Sequence, residues 1–185
     1  MIFAELNGIH MNFKTLPTLF SPNALDAGTR AMLSCARFQQ GDKILDLGCG
    51  YGFVGIYAAK LIGDGCVTMV DIDEAAVAIA RENTLLNDVA GIRVFQSNGF
   101  YSIDDTGYTV ILSNPPYHTD FSIAKRFIEK GFNRLIIGGK MIMVTKRKDW
   151  YKNKFISIFG GVLVKQIDGY FVFTAEKRSV SYAKK

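Results

Sequence analysis

The chain has 185 residues, 49% hydrophobic and 21% charged, with a net charge of +5. Those values fit one globular domain with a sizeable core and exclude a disordered chain. Cys35, Cys49, Cys66, His10 and His118 form no Cys-x-x-Cys or His-x-x-x-His pair, so neither a disulfide framework nor a structural zinc site is supported.

The first residues carry Glu5 and Asn7 within an apolar stretch and lack a basic leader, so no secretory signal is expected. No run of 18 apolar residues occurs, which predicts no membrane span and a cytoplasmic setting. Residues 1–40 read as an N-terminal segment with turn signals at Pro17 and Ser21-Pro22-Asn23. A helix is predicted from Leu25 to Phe38, ended by Gly41. The pattern then alternates. Lys43–Leu47 predicts a buried strand, Phe53–Ile62 a helix and Cys66–Val70 a second strand. Asp73 suits a helix N-cap before Glu74–Leu86. Ile92–Gln96 and Thr109–Leu112 predict strands three and four, Phe121–Arg134 a helix, Lys140–Thr145 a fifth strand and Asp149–Phe159 a helix. Val162–Ile167 and Tyr170–Ala175 predict a closing hairpin around Asp168-Gly169.

This alternation predicts an α/β domain: a mostly parallel seven-stranded sheet with a C-terminal antiparallel hairpin and helices on both faces. Ligands in such sheets bind beyond the carboxyl ends of the strands. The polar and glycine residues there are Asp46–Gly52, Asp71, Asn98 and Asn114–Tyr117, and they are expected to converge in one crevice.

The loop Asp46-Leu47-Gly48-Cys49-Gly50-Tyr51-Gly52 follows the first of these strands. Its glycines permit positive φ and close backbone approach to a ligand. Gly50, Gly52 and Gly55 also satisfy a dinucleotide G-x-G-x-x-G spacing, by itself a weak signal. Asp46 argues against a dinucleotide, because a carboxylate there opposes a pyrophosphate and suits an ammonium or sulfonium. Asp71, ending the second strand, is placed to accept two ribose hydroxyls. The plainer role for Asp46 is to orient the loop, and for Asp71 to cap the next helix.

The loop resembles the first motif, D-x-G-x-G-x-G, of class I S-adenosylmethionine-dependent methyltransferases, whose fold is Rossmann-like. Val70-Asp71 resembles their second motif. Phe95-Gln96-Ser97-Asn98 resembles the third, with Asn98 where the family often has Asp. The resemblance implies S-adenosyl-L-methionine as cofactor. It assigns cofactor contacts to Asp46, Gly48, Cys49, Gly50, Gly52, Asp71 and Asn98. It also places Ile72 against the adenine ring, with ordinary core as the other role for Ile72.

Ser113-Asn114-Pro115-Pro116-Tyr117 follows the fourth strand. Two prolines forbid a continuing helix or strand and hold a rigid turn. The Asn114 side chain and the Pro115 carbonyl present oxygen acceptors, and Tyr117 a flat face. Two acceptors on the N–H bonds of an exocyclic amine turn its lone pair toward an electrophile. Stacking on the aromatic face is worth ~1–3 kcal/mol per base. A base inside a duplex must first be extruded. In the resembling enzymes N-P-P-[YF] marks transfer to amide or exocyclic amino nitrogen. That makes Asn114, Pro115, Pro116 and Tyr117 the candidate catalytic residues.

Phe20-Ser21-Pro22-Asn23-Ala24-Leu25-Asp26-Ala27-Gly28-Thr29 resembles the F-S-x-x-x-L-D-x-G-[ST] segment of the small-subunit ribosomal RNA guanine-N2 methyltransferase C family. Asn114–His118 resembles that family's N-P-P-[FY]-H. The resemblance spans roughly residues 12–176. It implies one methyltransferase domain over residues 1–185, with 1–40 bordering the cofactor pocket and 41–185 as catalytic core. Gly28 and Thr29 would border the pocket or simply start a helix, and His118 would contact the base or a phosphate or be an ordinary loop residue. The best-known bacterial members carry two tandem halves, and only the active one has a counterpart here. A homodimer, or the basic C-terminal quarter, is expected to compensate.

Residues 140–185 hold 11 Lys/Arg and 3 Asp/Glu, a net of +8, whereas residues 1–139 hold 11 and 14, a net of −3. Such asymmetry favours a polyanionic partner, and the resemblance makes it RNA, specifically small-subunit rRNA or the small ribosomal subunit. Lys146, Arg147, Lys148, Lys152 and Lys154 would flank the Asn114 site and hold phosphates. Trp150 and Tyr151 would stack on bases or, for Trp150 especially, join the core. The alternatives are a release-factor glutamine methyltransferase, an adenine-N6 methyltransferase, a non-catalytic binding module and a nicotinamide dehydrogenase.

Overall fold

The computed structural model describes residues 1–19, 21, 23–116 and 120–183. Phe20, Pro22, Tyr117, His118 and Thr119 lie outside the described residues, so the readings of Tyr117 and His118 fall beyond it.

The chain opens with a hairpin that the sequence pattern did not predict: β1 (Ile2–Leu6) and β2 (Ile9–Phe13), paired antiparallel. Asn7 and Gly8 join them with φ of 52° and 77°. Two positive φ values in a two-residue loop match the twist of the strands, and Asn-Gly is the pair that adopts them most readily. Asn7 also donates from Nδ2 to the Tyr57 hydroxyl at 2.8 Å. Met11 and Phe13 are buried, and the Phe13 ring meets Tyr51 and Phe53 at 5.4 and 5.0 Å.

The remaining elements follow the predicted alternation. They are α1 (Ala27–Cys35), β3 (Ile44–Leu47), α2 (Phe53–Ile62), β4 (Val67–Asp71), α3 (Glu74–Leu86), β5 (Arg93–Gln96) and β6 (Tyr108–Ser113). Then come α4 (Ser122–Arg134), β7 (Leu135–Thr145), α5 (Asp149–Phe159), β8 (Leu163–Ile167) and β9 (Tyr170–Glu176). Two boundaries differ from expectation by more than two residues. The first helix ends at Cys35, where Ala36 turns extended. The fifth predicted strand begins at Leu135 rather than Lys140. Gly138 and Gly139, which suggest a break, are absorbed by a register shift opposite Tyr108 and Val110.

The main sheet has the order β5-β4-β3-β6-β7-β9-β8. β5, β4, β3, β6 and β7 are parallel, while β9 runs antiparallel to β7 and to β8. Burial on both faces explains the composition of the central strand: Ile44, Leu45, Asp46 and Leu47 are each at most 2% exposed. Ile44 joins one apolar cluster, with α1, α2, α3 and the hairpin. Leu45 and Leu47 join the other, with α4 and α5. The result is a three-layer, Rossmann-like arrangement with the sheet between two helical layers. Its strand order reverses between β3 and β6, so the crevice for a ligand opens at their carboxyl ends. Among the described residues no helix is long and apolar enough to cross a membrane.

Two buried asparagines tie the hairpin to α3. Asn83 Oδ1 accepts from Lys14 N at 2.8 Å while its Nδ2 donates to Lys14 O at 2.9 Å and Tyr51 O at 2.8 Å. One turn on, Asn87 Oδ1 accepts from Asn12 N at 3.0 Å and its Nδ2 donates to Asn12 O at 2.7 Å. The side-chain amides stand in for a neighbouring strand and leave those backbone groups satisfied.

Candidate active site

At the switch point the chain leaves β3 through Gly48, Gly50 and Gly52, with φ of 80°, 54° and 95°. Gly52 is the N-cap of α2. Gly48 N and Cys49 N both donate to Val70 O at 2.9 Å, which folds the loop over the end of β4. Gly55 allows close approach of α2, because a Cβ there would lie 2.4 Å from Met69 Sδ.

Two carboxylates shape the loop. Asp46 Oδ2 accepts from Gly55 N at 2.9 Å, and Asp71 Oδ2 accepts from Gly50 N at 2.8 Å. Asp71 Oδ1 takes Asp73 N at 3.0 Å, so each Asp71 oxygen keeps a second lone pair for a hydroxyl. Burial pushes the Asp46 carboxyl up to about 7. The Gly55 N–H opposes the rise and the Asp71 charge adds to it. Burial, with the charges of Asp46 and Asp71, also pushes the Cys49 thiol up, so it stays protonated and is not a nucleophile.

These groups line one cavity of about 330 Å³. Asp46, Gly48, Cys49, Gly50, Asp71, Ile72 and Asn98 line it together with Thr29, Asn114, Pro115 and Pro116. All four clusters named from the sequence therefore meet, as far as they are described. Ile72 is 61% exposed, so it is not core and offers a bare apolar face to the cavity. Gly52 and Gly28 are not among the lining residues. Gly52 caps α2, and an added Cβ there would lie 3.2 Å from Met69 Cε. Gly28 leaves room for Tyr170, whose Cε1 would lie 2.8 Å from an added Cβ.

The fit to a cofactor can be judged on charge. Among the described lining residues are four aspartates, Asp26, Asp46, Asp71 and Asp73, and no Lys or Arg. Such a cavity repels a pyrophosphate and suits a ligand bearing positive charge and vicinal hydroxyls, which S-adenosylmethionine carries.

Asn114 leaves β6 through Ser113, whose hydroxyl donates to Leu47 O at 2.7 Å. The Asn114 Nδ2 group donates to Asp26 Oδ2 at 2.9 Å and to Thr29 Oγ1 at 3.1 Å. Asp26 is a site residue to which the sequence motif alone gives no role. The signal available for it is its place in the Leu25-Asp26-Ala27-Gly28-Thr29 segment, and its capping role emerges because α1 starts at Ala27 rather than Leu25.

The predicted basic cluster begins where β7 ends, next to β6. Lys146 Nζ lies 5.0 Å from the Tyr170 ring centre, Arg147 Cζ 4.9 Å from Phe121, and Lys148 Nζ 5.6 Å from Phe171. Lys148 and Lys152 also border a shallow groove with Phe171. Lys154 instead pairs with Glu129. Trp150 stacks on Phe121 at 4.3 Å, and Tyr151 is buried, so both pack internally.

Fold and cavity together define a class I methyltransferase architecture. The methyltransferase small domain family matches residues 10–174, and this chain belongs to that family. It is 32% identical over 166 residues to the ribosomal RNA small subunit methyltransferase C of Psychromonas ingrahamii, covering 88% of this chain and 47% of that protein. It is 28% identical over 165 residues to the uncharacterized protein YbxB of Bacillus subtilis, covering 86% and 82%. The structure of a T. thermophilus 16S rRNA N2 methyltransferase in complex with AdoMet and guanosine superposes with a TM-score of 0.88 at 24% identity, covering 96% of this chain and 50% of that one. The chain thus spans about half the length of the methyltransferase C relatives it matches.

Proposed function

We propose that this chain is an S-adenosylmethionine-dependent N-methyltransferase acting on an exocyclic amino group of RNA, guanine N2 of small-subunit rRNA, in the cytoplasm. The observation that carries the reading is a single cavity joining the aspartate-flanked glycine loop to the Asn114-Pro115-Pro116 turn. Similarity to methyltransferase C relatives supports rRNA as the substrate.

In this reading Asp46, the Gly48–Gly52 loop, Asp71, Ile72 and Asn98 hold the cofactor, and Thr29 borders it. A bound cofactor would supply an electrophilic methyl on a sulfonium, with a neutral thioether as the leaving group when the substrate nitrogen takes the methyl. Asn114 Oδ1 and the Pro115 carbonyl accept the two N–H bonds and direct the lone pair. Tyr117 stacks the base, and the proton released from nitrogen passes to water. Placement in this way supplies catalysis without a strong base. Substrate recognition falls to the basic surface beside β7, with a homodimer as the further route.

The test is methyl transfer from labelled cofactor to total RNA and to small ribosomal subunits from cells lacking the protein, followed by nucleoside analysis. Label in N2-methylguanosine is expected. Label in N6-methyladenosine would keep the mechanism and change the base. Label only in release factors would overturn the RNA assignment.

A further inference from the structure

The Asn114 amide is a symmetric-looking group whose oxygen and nitrogen have opposite uses. A substrate amine needs the oxygen, and a carbonyl or deprotonated nitrogen would need the N–H pair. Nothing in the Asn-Pro-Pro turn itself decides which end faces the cavity. The decision comes from α1. Nδ2 carries two hydrogens and both are taken, one by Asp26 Oδ2 at 2.9 Å and one by Thr29 Oγ1 at 3.1 Å. The flipped amide would set Oδ1 against the Asp26 carboxylate, acceptor against acceptor.

Asp26 is itself fixed. Its Oδ2 accepts from Thr29 N at 2.7 Å, the N-cap bond that starts α1. Asp26, Thr29 and Asn114 all line the cavity. Gly28 makes the arrangement compact, since a Cβ there would come within 2.9 Å of Asp26 Oδ2 and 2.8 Å of the Tyr170 ring.

We propose that Asp26 is a positioning residue that locks the Asn114 amide with Oδ1 toward the substrate, so that the site selects nucleophiles bearing N–H bonds. The inference rests on the function proposed above and deepens it. A carboxylate on Nδ2 also polarises the amide and makes Oδ1 a stronger acceptor. That matters most as positive charge develops on the substrate nitrogen, so the effect falls on the chemical step rather than on binding. Thr29 shares the task as the second acceptor.

Capping and positioning can be separated. In Asp26→Ser the hydroxyl still accepts from Thr29 N, as serine does at N-caps, but is too short to reach Asn114. In Asp26→Asn the amide oxygen serves both Thr29 N and Asn114. Against the RNA substrate, Asp26→Ser is expected to lower kcat about 100-fold, the scale of removing one preorganised polar group from a developing charge. The Kd for S-adenosylmethionine should rise by less than about tenfold, since one of four cavity aspartates is lost, so the loss in kcat exceeds the loss in cofactor binding. Asp26→Asn should recover kcat to within about tenfold of the parent. In an Asn114→Ala background, Asp26→Ser should add no further loss, because its partner is gone. Wild-type kcat in Asp26→Ser, or full additivity with Asn114→Ala, would overturn the assignment. One readout does not depend on turnover. The side-chain NH2 of Asn114 in ¹⁵N-labelled protein should be one slowly exchanging pair, and Asp26→Ser should release it. An unprotected pair in the parent protein refutes the lock even if the RNA is methylated. A protected pair with no methylated RNA refutes the function and leaves the lock standing.

Discussion

Asp46 is a charged side chain at 2% exposure in the middle of a four-residue strand, and its location is costly. Its carboxyl ionises near 7 in the fold against 3.8 in an unfolded chain. Between those values the native state holds more protons, so stability falls as pH rises from about 4 to 7 and is level above. At ~1.36 kcal/mol per unit the whole effect is about 4 kcal/mol. Asp46→Asn keeps an acceptor for Gly55 N and removes the charge. It is therefore expected to raise stability at pH 8 by about 2–4 kcal/mol and to flatten the pH profile of the melting temperature. If Asp46 faces a cationic cofactor, the parent protein's affinity should climb by up to tenfold per pH unit below 7 and level off above, and the variant should lose that dependence. A pH-independent melting temperature in the parent would show that Asp46 is not the buried titrating group.

Residue roles are unevenly legible in the sequence. The aspartate-glycine loop can be read because its spacing is local. Ile72 cannot be placed from sequence, since an apolar residue after a strand suits core and cavity equally; its exposure decides. The bond between Asp26 and Asn114 spans 88 residues, and nothing local announces it.

At the scale of elements, the strand-loop-helix unit β3-α2 depends on close approach as much as on pattern. A Cβ at Gly55 would sit 2.5 Å from Met69 Cγ and 3.4 Å from Asp46 Oδ2. Gly55→Ala is expected to destabilise by about 1–3 kcal/mol through overpacking, and Met69→Ala in the same chain should recover part of it. Thermal melts of the three variants check this. The helices and central strands can be predicted because their apolar periods and caps are strong, Asp73 among them, which accepts from Ala75 N at 2.9 Å. The N-terminal hairpin is harder to see. Its strands are five residues each and alternate imperfectly, so the Asn7-Gly8 turn signal stands between two weak patterns.

Across the whole molecule, charge is divided. The cavity is acidic, while Lys146, Arg147 and Lys148 stand at the neighbouring carboxyl edge of β7, each over an aromatic ring. On the proposed function, changing Lys146, Arg147 and Lys148 together to Gln should weaken RNA binding uniformly across sequences. The slope of log affinity against log salt should flatten by about 0.7 for each phosphate that is no longer neutralised. An unchanged slope would remove this edge from the RNA footprint. The compositional skew of the last 46 residues is visible in the sequence. That three of its cations lie beside the Asn114 turn follows from strand order, which composition does not encode.

The asparagine pair on α3 has a consequence in time. Backbone groups of Asn12 and Lys14 close their bonds only on side chains some seventy residues later, so the hairpin cannot lock until α3 has docked. Hydrogen exchange at those two amides should therefore report the opening of α3, not fraying of the hairpin. Asn83 also holds the Tyr51 carbonyl in the glycine loop, so a ligand that stiffens the loop should slow exchange at Lys14, a residue outside the cavity. The N-terminus then works as a remote gauge of cofactor occupancy, readable without any substrate.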